Sequence, residues 1–170
     1  MLSFRRGLRA VASVTLATSN PFSPSDLRFE QQKIVTALAT DPGPLVAAFG
    51  ETPATLIHGD WKAGNLGTRP DGRTILLDWG WPGRTAPLVE IGWYLAVNCD
   101  RLPESKEDTI TAYRDALESE GVDTSSWWAR QLDLALVGGF LQLGWSKVGD
   151  AAELGWWLAR VVPVARDLLR

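Results

Sequence analysis

The stretch LIHGDWKAGNLGTRPDGRTILLDWGW, residues 56–81, decides how this chain is expected to fold. A short apolar run, predicted to be a strand or a helix end, leads into a polar loop whose glycines permit unusual backbone angles. Two short strands are predicted beyond the loop, and the turn RPDG between them places Pro and Gly where a hairpin favours them. A hairpin brings its two ends together. We therefore expect Asp78, at the end of the second strand, to lie near Asp60 and Asn65.

This cluster has the chemistry of a site for a cation and a phosphate. Two carboxylates and an amide oxygen would converge, with Lys62 beside them. Magnesium takes oxygen ligands, keeps several waters and is usually held by one or two carboxylates together with substrate phosphates. The pattern therefore predicts a Mg²⁺ and phosphate site.

Three motifs, in this order, resemble those of the aminoglycoside phosphotransferase and choline kinase group, which has a protein-kinase-like fold. The run HGDWKAGN, residues 58–65, is similar to the HGDxxxxN loop of that family. Leu77, Asp78 and Trp79 resemble its I-D-W, the counterpart of the kinase D-F-G. The following run PLVEIGWYLA is similar to its DPxxDLA helix, with Glu90 where the family usually has Asp.

The resemblance implies an α+β fold that is mostly α-helical, the C-terminal lobe of a protein-kinase-like fold with a small β-hairpin at the catalytic loop. The motifs cover residues 56–96, and the implied architecture covers roughly residues 25–170. Residues 1–22 are expected to be a poorly ordered lead-in, and residues 23–170 the lobe itself.

Apolar spacing and capping residues predict six helices. They are predicted at 23–39, 45–49, 87–98, 105–120, 125–146 and 150–169, with Ser23 as the cap of the first. Residues 80–85 are predicted to be a loop. Gly138 and Gly139 would allow close helix packing, and Pro163 is expected to kink the last helix or to end its first part.

The resemblance also implies roles at the site. Asp60 would orient the substrate hydroxyl and accept its proton, and Lys62 would steady the transferring phosphate unless it only faces solvent. Asn65 and Asp78 would hold the metal. The simpler alternatives are a turn cap for Asp60, a turn-stabilising amide for Asn65 and a surface carboxylate for Asp78. Four residues are expected to be structural at the site: His58, Gly59, Trp79 and Glu90. Trp79 is expected to be packed.

Composition excludes several other classes of protein. The chain has 170 residues, enough for one domain with a sizeable core, and a net charge of −3 gives no basic footprint for nucleic acid. No apolar run is long enough to span a membrane, and the short, interrupted apolar run near the start is a poor signal peptide. A cytoplasmic location is expected. The single cysteine, Cys99, excludes an internal disulfide and is expected to be a small buried residue on a helix.

The part of the chain before the loop lacks the expected nucleotide-covering lobe. Only 57 residues precede His58, and they contain neither a glycine-rich loop nor a V-A-x-K strand. Lys33 is the only lysine among them and falls in a predicted helix. The chain is therefore predicted to be a C-terminal lobe without its N-terminal lobe, completed by a separate lobe or by self-association, and weakly active or inactive alone.

The function implied by the resemblance is transfer of the γ-phosphoryl group of ATP or GTP, with Mg²⁺, to a hydroxyl group of a small molecule, including cationic acceptors. Five acidic residues beyond the motifs could meet such a cation, although a solvated face is the simpler interpretation: Glu104, Glu107, Asp108, Glu118 and Glu120. Two alternatives remain open. One is a non-catalytic truncated remnant that acts as a binding or interaction module, and the other is a metal-dependent hydrolase using Asp60 and Asp78.

Overall fold

The computed structural model describes residues 29–170, which form an α+β fold that is mostly helical. Its helices are α1 (Phe29–Thr40), α2 (Gly43–Gly50), α3 (Leu88–Val97), α4 (Lys106–Ser119), α5 (Trp128–Leu143) and α6 (Ala151–Leu168). Its strands are β1 (Thr55–Ile57), β2 (Leu66–Thr68), β3 (Thr74–Leu76) and β4 (Gly83–Thr85), and single 3₁₀ turns cover Ala63–Asn65, Cys99–Arg101 and Gly144–Lys147. The predicted lead-in at 1–22 and the cap at Ser23 lie outside the described residues. Within the described range, no helix combines the length and the apolar character needed to cross a membrane.

The predicted hairpin is confirmed. Strands β2 and β3 pair antiparallel, with Leu66 opposite Leu76 and Thr68 opposite Thr74. Gly72 supplies the positive φ, +84°, that the turn between them requires.

The prediction of a loop over residues 80–85 is wrong in its second half. Residues 83–85 form β4, which pairs antiparallel with β1 so that Thr55 lies opposite Thr85 and Ile57 opposite Gly83. The backbone groups of β1 need partners, and β4 supplies them. The sequence Gly-Arg-Thr lacks the apolar alternation of a strand, so no local pattern indicated a pairing across that distance.

Each predicted helix has a counterpart in the structure, with two differences in extent. Helix α5 is shorter than the predicted range 125–146, because residues 125–127 form a turn and Gly144–Lys147 a 3₁₀ turn. Pro163 was expected to kink the last helix or to end its first part, and α6 continues through it, so the helix does not end there. A proline inside a helix costs about 3 kcal/mol. Burial of Val161, Val162 and Ala165 around it offsets that cost.

The core lies between α3, α5 and α6, with α1 and α2 packed against it. Fully buried side chains come from each of these helices: Leu38, Leu45, Leu88, Ile91, Leu95, Leu134, Val137, Phe140, Trp157 and Val161. A buried aliphatic side chain of this size contributes about 1.5–3 kcal/mol. The core therefore fixes the position of α3, and α3 lies beside the candidate site.

Helices α3 and α5 touch through their backbones. A Cβ atom on Gly92 would lie 2.2 Å from the carbonyl oxygen of Ala135, and one on Gly139 would lie 2.4 Å from the carbonyl oxygen of Gly92. Close packing was predicted at Gly138 and Gly139. It is confirmed for Gly139, whereas a Cβ atom on Gly138 would meet no heavy atom within 4 Å.

This contact gives a paired test. Gly92→Ala should destabilise the protein by about 1–3 kcal/mol or more, because its methyl group would overlap backbone that cannot turn aside. Gly138→Ala should stabilise it by roughly 0.5–1 kcal/mol, since alanine favours the helix and the space is open. Urea unfolding of the two variants checks both signs, and equal effects would contradict the backbone contact.

Candidate functional site

Two side chains, one in α3 and one directly after it, accept hydrogen bonds from backbone N–H groups of the loop between β1 and β2. Glu90, in the first turn of α3, accepts the N–H of Gly59 at 2.8 Å. Asn98, directly after its last residue, accepts the N–H of Ala63 at 3.1 Å through Oδ1. The loop is thus fixed near both of its ends by one helix. Burial raises the pKa of Glu90, although the hydrogen bond from Gly59 acts in the opposite direction.

The other side of the loop presses against the segment after β3. Gly59 has φ +86°, and a Cβ atom on it would lie 2.0 Å from the carbonyl oxygen of Trp81. Both the backbone angle and the space therefore require glycine at this position.

The buried side chain of His58 ties the loop to the end of β3. Its Nδ1 accepts the N–H of Asp60 at 3.2 Å, so its Nε2 carries the proton and donates to the carbonyl oxygen of Leu77 at 2.8 Å. The ring also lies edge-on to Trp79, with 4.6 Å between centroids. Both ring nitrogens are occupied by backbone groups, which is the arrangement of a structural histidine.

Three donors surround the carboxylate of Asp60. Lys62 Nζ lies 2.6 Å and Asn65 Nδ2 3.0 Å from Oδ2, while Trp93 Nε1 donates to Oδ1 at 3.1 Å. The side chain of Asp60 is 15% exposed and that of Lys62 is 34% exposed, so the pair is accessible from solvent. The structure therefore brings together three of the predicted site residues, Asp60, Lys62 and Asn65.

Sequence reasoning did not single out Trp93 or Asn98. Trp93 follows Glu90 by three residues, which places both on one side of α3. Glu90 had been assigned to the site, so the helical spacing could have indicated Trp93. Asn98 carried no comparable signal.

Asn65 has a defined orientation. Its amide nitrogen donates to both the backbone oxygen of Asp60, at 2.9 Å, and the carboxylate of Asp60. The side chain is buried at 6% exposure, and its amide oxygen is the atom left to meet a ligand.

Asp78 directly follows a backbone contact between the hairpin and the loop. The N–H of Leu77 donates to the backbone oxygen of Asn65 at 2.8 Å, which brings the end of the hairpin beside the loop. Among residues 29–170, no hydrogen bond or ion pair joins the exposed carboxylate of Asp78 to Asp60 or Asn65. Asp78 has φ +59°, an angle that costs most side chains about 1–2 kcal/mol and that Asp tolerates better than bulkier residues.

The expectation that Trp79 would be packed is wrong, because it is 49% exposed. Its indole N–H donates to the carbonyl oxygen of Leu76 at 3.0 Å, and one ring edge meets His58. Hydrophobic character alone suggested burial, but no described residue covers the rest of the ring.

Other large apolar side chains on or beside the strands are exposed too. We call the set the exposed apolar group: Leu56, Ile75, Leu77, Trp79 and Trp81.

The donor atoms at the site fit magnesium better than a transition metal. The amide oxygen of Asn65 and the carboxylate of Asp78 are hard oxygen donors, and no cation pairs with Asp78 within the described residues. That same part of the chain contains no cluster of three or more His, Cys, Asp or Glu residues able to hold a metal. Magnesium bound with a nucleotide needs only one or two protein carboxylates.

Comparison with known proteins identifies one family. A model of the phosphotransferase enzyme family matches residues 5–122, which is more than half of the chain and includes the loop, the hairpin and α3. Searches of curated proteins and of solved structures returned no match.

The raised pKa of Glu90 predicts a pH-dependent stability. The folded state keeps the proton of Glu90 to higher pH than the unfolded state, so the free energy of unfolding should fall as pH rises above the ordinary value of 4.5. Glu90→Gln keeps an acceptor for Gly59 and removes the titration. We expect its stability to fall less over this pH range than that of the wild type, and to equal or exceed the wild-type value at neutral pH.

Urea unfolding of both proteins at a series of pH values provides the measurement. Glu90→Ala is the control, because it lacks the acceptor and should be destabilised at every pH. A Glu90→Gln protein with the same pH dependence as the wild type would contradict the role assigned to this carboxylate.

Proposed function

Because this chain belongs to the phosphotransferase enzyme family, we propose that it serves the transfer of the γ-phosphoryl group of ATP or GTP to a hydroxyl group of a small molecule. The observation that carries this proposal is the fixed position of Asp60 between Lys62, Asn65 and Trp93. We also propose a cytoplasmic location, where the nucleotide donor would be available.

Asp60 is proposed to bind the acceptor hydroxyl and to take its proton. Its two oxygens are held by three donors, so the carboxylate needs little rearrangement when an acceptor arrives. Phosphoryl transfer depends mainly on positioning and charge stabilisation, so a weakly basic carboxylate is sufficient.

Lys62 is proposed to neutralise charge on the transferring phosphoryl group. In the structure its ammonium group pairs with Asp60 at 2.6 Å and remains about one-third exposed. The exposed side of the ammonium group could meet a phosphate oxygen, while Asn65 and Trp93 keep Asp60 in place.

Asn65 and Asp78 are proposed to hold the magnesium ion. When bound, the ion would offset the negative charge of the nucleotide phosphates. Asp78 lies on the solvent side of the hairpin end, and its carboxylate is available for this role.

We further propose that the described part is the C-terminal lobe of a protein-kinase-like fold. One side of its nucleotide site is then left uncovered, and we call this side the open wall. Trp79 of the exposed apolar group contacts His58 in the loop, and we propose that the group forms the lower wall for a nucleotide base. A covering lobe, from a separate chain or by self-association, would supply the opposite wall and further phosphate contacts.

Most of the acidic residues downstream are proposed not to contact a cationic acceptor. Glu107 already pairs with Arg160 and accepts the indole N–H of Trp156. Glu118 pairs with Arg114 and Thr124, while Asp108 bonds Ser105. Of the five, Glu104 and Glu120 are the carboxylates without such a partner among residues 29–170.

The assignment of Asp60 can be tested by phosphoryl transfer from labelled ATP to a panel of hydroxyl acceptors, at a high nucleotide concentration or with the covering lobe supplied. Asp60→Asn should lower turnover by about 10²–10⁴-fold, the usual contribution of a general base. Lys62→Met should lower kcat with little change in KM for the acceptor, because its charge would act on the transition state. Asp71→Asn is the matched control, since within residues 29–170 Asp71 pairs with Arg73 alone, in the hairpin turn. Undiminished transfer by Asp60→Asn would rule out its proposed role.

The open wall predicts weak nucleotide binding by the chain alone. A charge-assisted hydrogen bond is worth about 1.5–3 kcal/mol. Without two or three contacts from a covering lobe, the affinity should be lower by several powers of ten, at about 1.4 kcal/mol for each tenfold change. Titration with Mg-ATP, followed by calorimetry and by the indole N–H signals of Trp79 and Trp93, measures this affinity.

Asp78→Asn and removal of Mg²⁺ with a chelator should each abolish the binding, while Asp71→Asn should leave it unchanged. Micromolar affinity with steady turnover would contradict the proposal of an open wall. Nucleotide binding that is independent of both Mg²⁺ and Asp78 would contradict the metal assignment. Binding without transfer to any acceptor would favour the interaction-module alternative.

A further inference from the structure

A buried lysine touches the only cysteine of the chain, away from the candidate site. Lys147 is 3% exposed, and its Nζ donates to the carbonyl oxygen of Ala96 at 2.6 Å and to Cys99 Sγ at 2.9 Å. The two residues are 48 positions apart, in two different 3₁₀ turns. A buried small residue on a helix was expected at Cys99. Instead it is half-buried, and its thiol also faces Asp100 Oδ1 at 3.4 Å.

We propose that Cys99 and Lys147 form a covalent crosslink on oxidation, a sulfenamide bond between Sγ and Nζ. In the first step hydrogen peroxide converts the thiol to a sulfenic acid: Cys–SH + H₂O₂ gives Cys–SOH + H₂O. The sulfur loses two electrons, which reduce the peroxide. Asp100 takes the thiol proton and passes it to the departing hydroxide, which becomes water.

In the second step Lys147 first releases its ammonium proton to solvent, and the resulting amine attacks the oxidised sulfur. The N–S bond forms, the S–O bond breaks, and the hydroxyl group leaves as water with one proton from the amine: Cys–SOH + H₂N–Lys gives Cys–S–NH–Lys + H₂O. Condensation of a sulfenic acid with a nitrogen to give a sulfenamide is an established step of cysteine oxidation. A dithiol returns both side chains to their starting state.

Three features of the structure favour capture by Lys147 over other fates. The nitrogen is already in contact with the sulfur, so the second step is intramolecular and strongly accelerated. The chain has one cysteine, so no second thiol of the same molecule competes. Lys147 is buried and bonded to Ala96, so its amine cannot turn away, whereas the half-buried thiol can be reached by peroxide.

The crosslink would lie next to a support of the candidate site. Asn98, which precedes Cys99, holds the N–H of Ala63 in the loop through Oδ1. A covalent bond from Cys99 to Lys147 would tie this end of α3 to the turn after α5. We expect oxidation to raise the melting temperature of the chain.

Mass spectrometry of the purified full chain, treated with hydrogen peroxide, tests the proposal. The expected product has lost the mass of two hydrogen atoms, yields one joined peptide containing Cys99 and Lys147, and reverts with dithiothreitol. Cys99→Ser should give no such product. Lys106→Gln, which removes another ion-paired lysine, should crosslink as the wild type does.

Dimedone, which labels sulfenic acids, provides a second measurement. Labelling of Cys99 should be low in the wild type and should rise several-fold in Lys147→Gln, because the capturing amine is gone. Should Lys147→Gln fail to fold, the mass of the wild type and of Cys99→Ser still decides. A disulfide-linked dimer, higher oxygen adducts without a joined peptide, or equal dimedone labelling of the wild type and a folded Lys147→Gln would each overturn the crosslink.

Discussion

The direct contact between the backbones of α3 and α5 at Gly92 and Gly139 sets the position of the side chains that hold the loop of the candidate site. With no side chain between them, the helices have little freedom to slide or rotate. A shift of α3 by one residue would rotate its side chains by about 100° about the axis. Glu90, Trp93 and Asn98 would then all lose their partners in the loop. The position of the loop therefore depends on how the helices pack in the core.

The two halves of the site are built in different ways. Asp60 and Asn65 belong to a half that is fixed by α3 and by hydrogen bonds within the loop. Asp78 belongs to a half made by strand ends and one left-handed residue, with its carboxylate turned to solvent. A site of this kind holds its proposed base in position before any ligand arrives and leaves Asp78, the proposed metal ligand, free to adjust to a bound nucleotide.

Local patterns in the sequence predicted the features that depend on neighbouring residues. The hairpin follows from Pro and Gly in its turn, and the helices follow from apolar spacing and caps. Features that depend on distant partners were missed: the pairing of β4 with β1, the indole of Trp93 on Asp60, and Lys147 against Cys99. The exposure of Trp79 was also misjudged. The hydrophobic character of a residue does not reveal whether other residues of the fold cover its side chain.

The hairpin of β2 and β3 forms a sheet of its own and does not join the pair of β1 and β4. A two-stranded hairpin is only marginally stable by itself, and local opening there needs far less free energy than unfolding of the helical core. Amide hydrogens of β2 and β3 should therefore exchange with solvent sooner than those of α5. A ligand that requires Asp78 in place binds only molecules whose hairpin is closed. Its apparent dissociation constant is therefore the intrinsic one divided by the fraction of molecules with a closed hairpin.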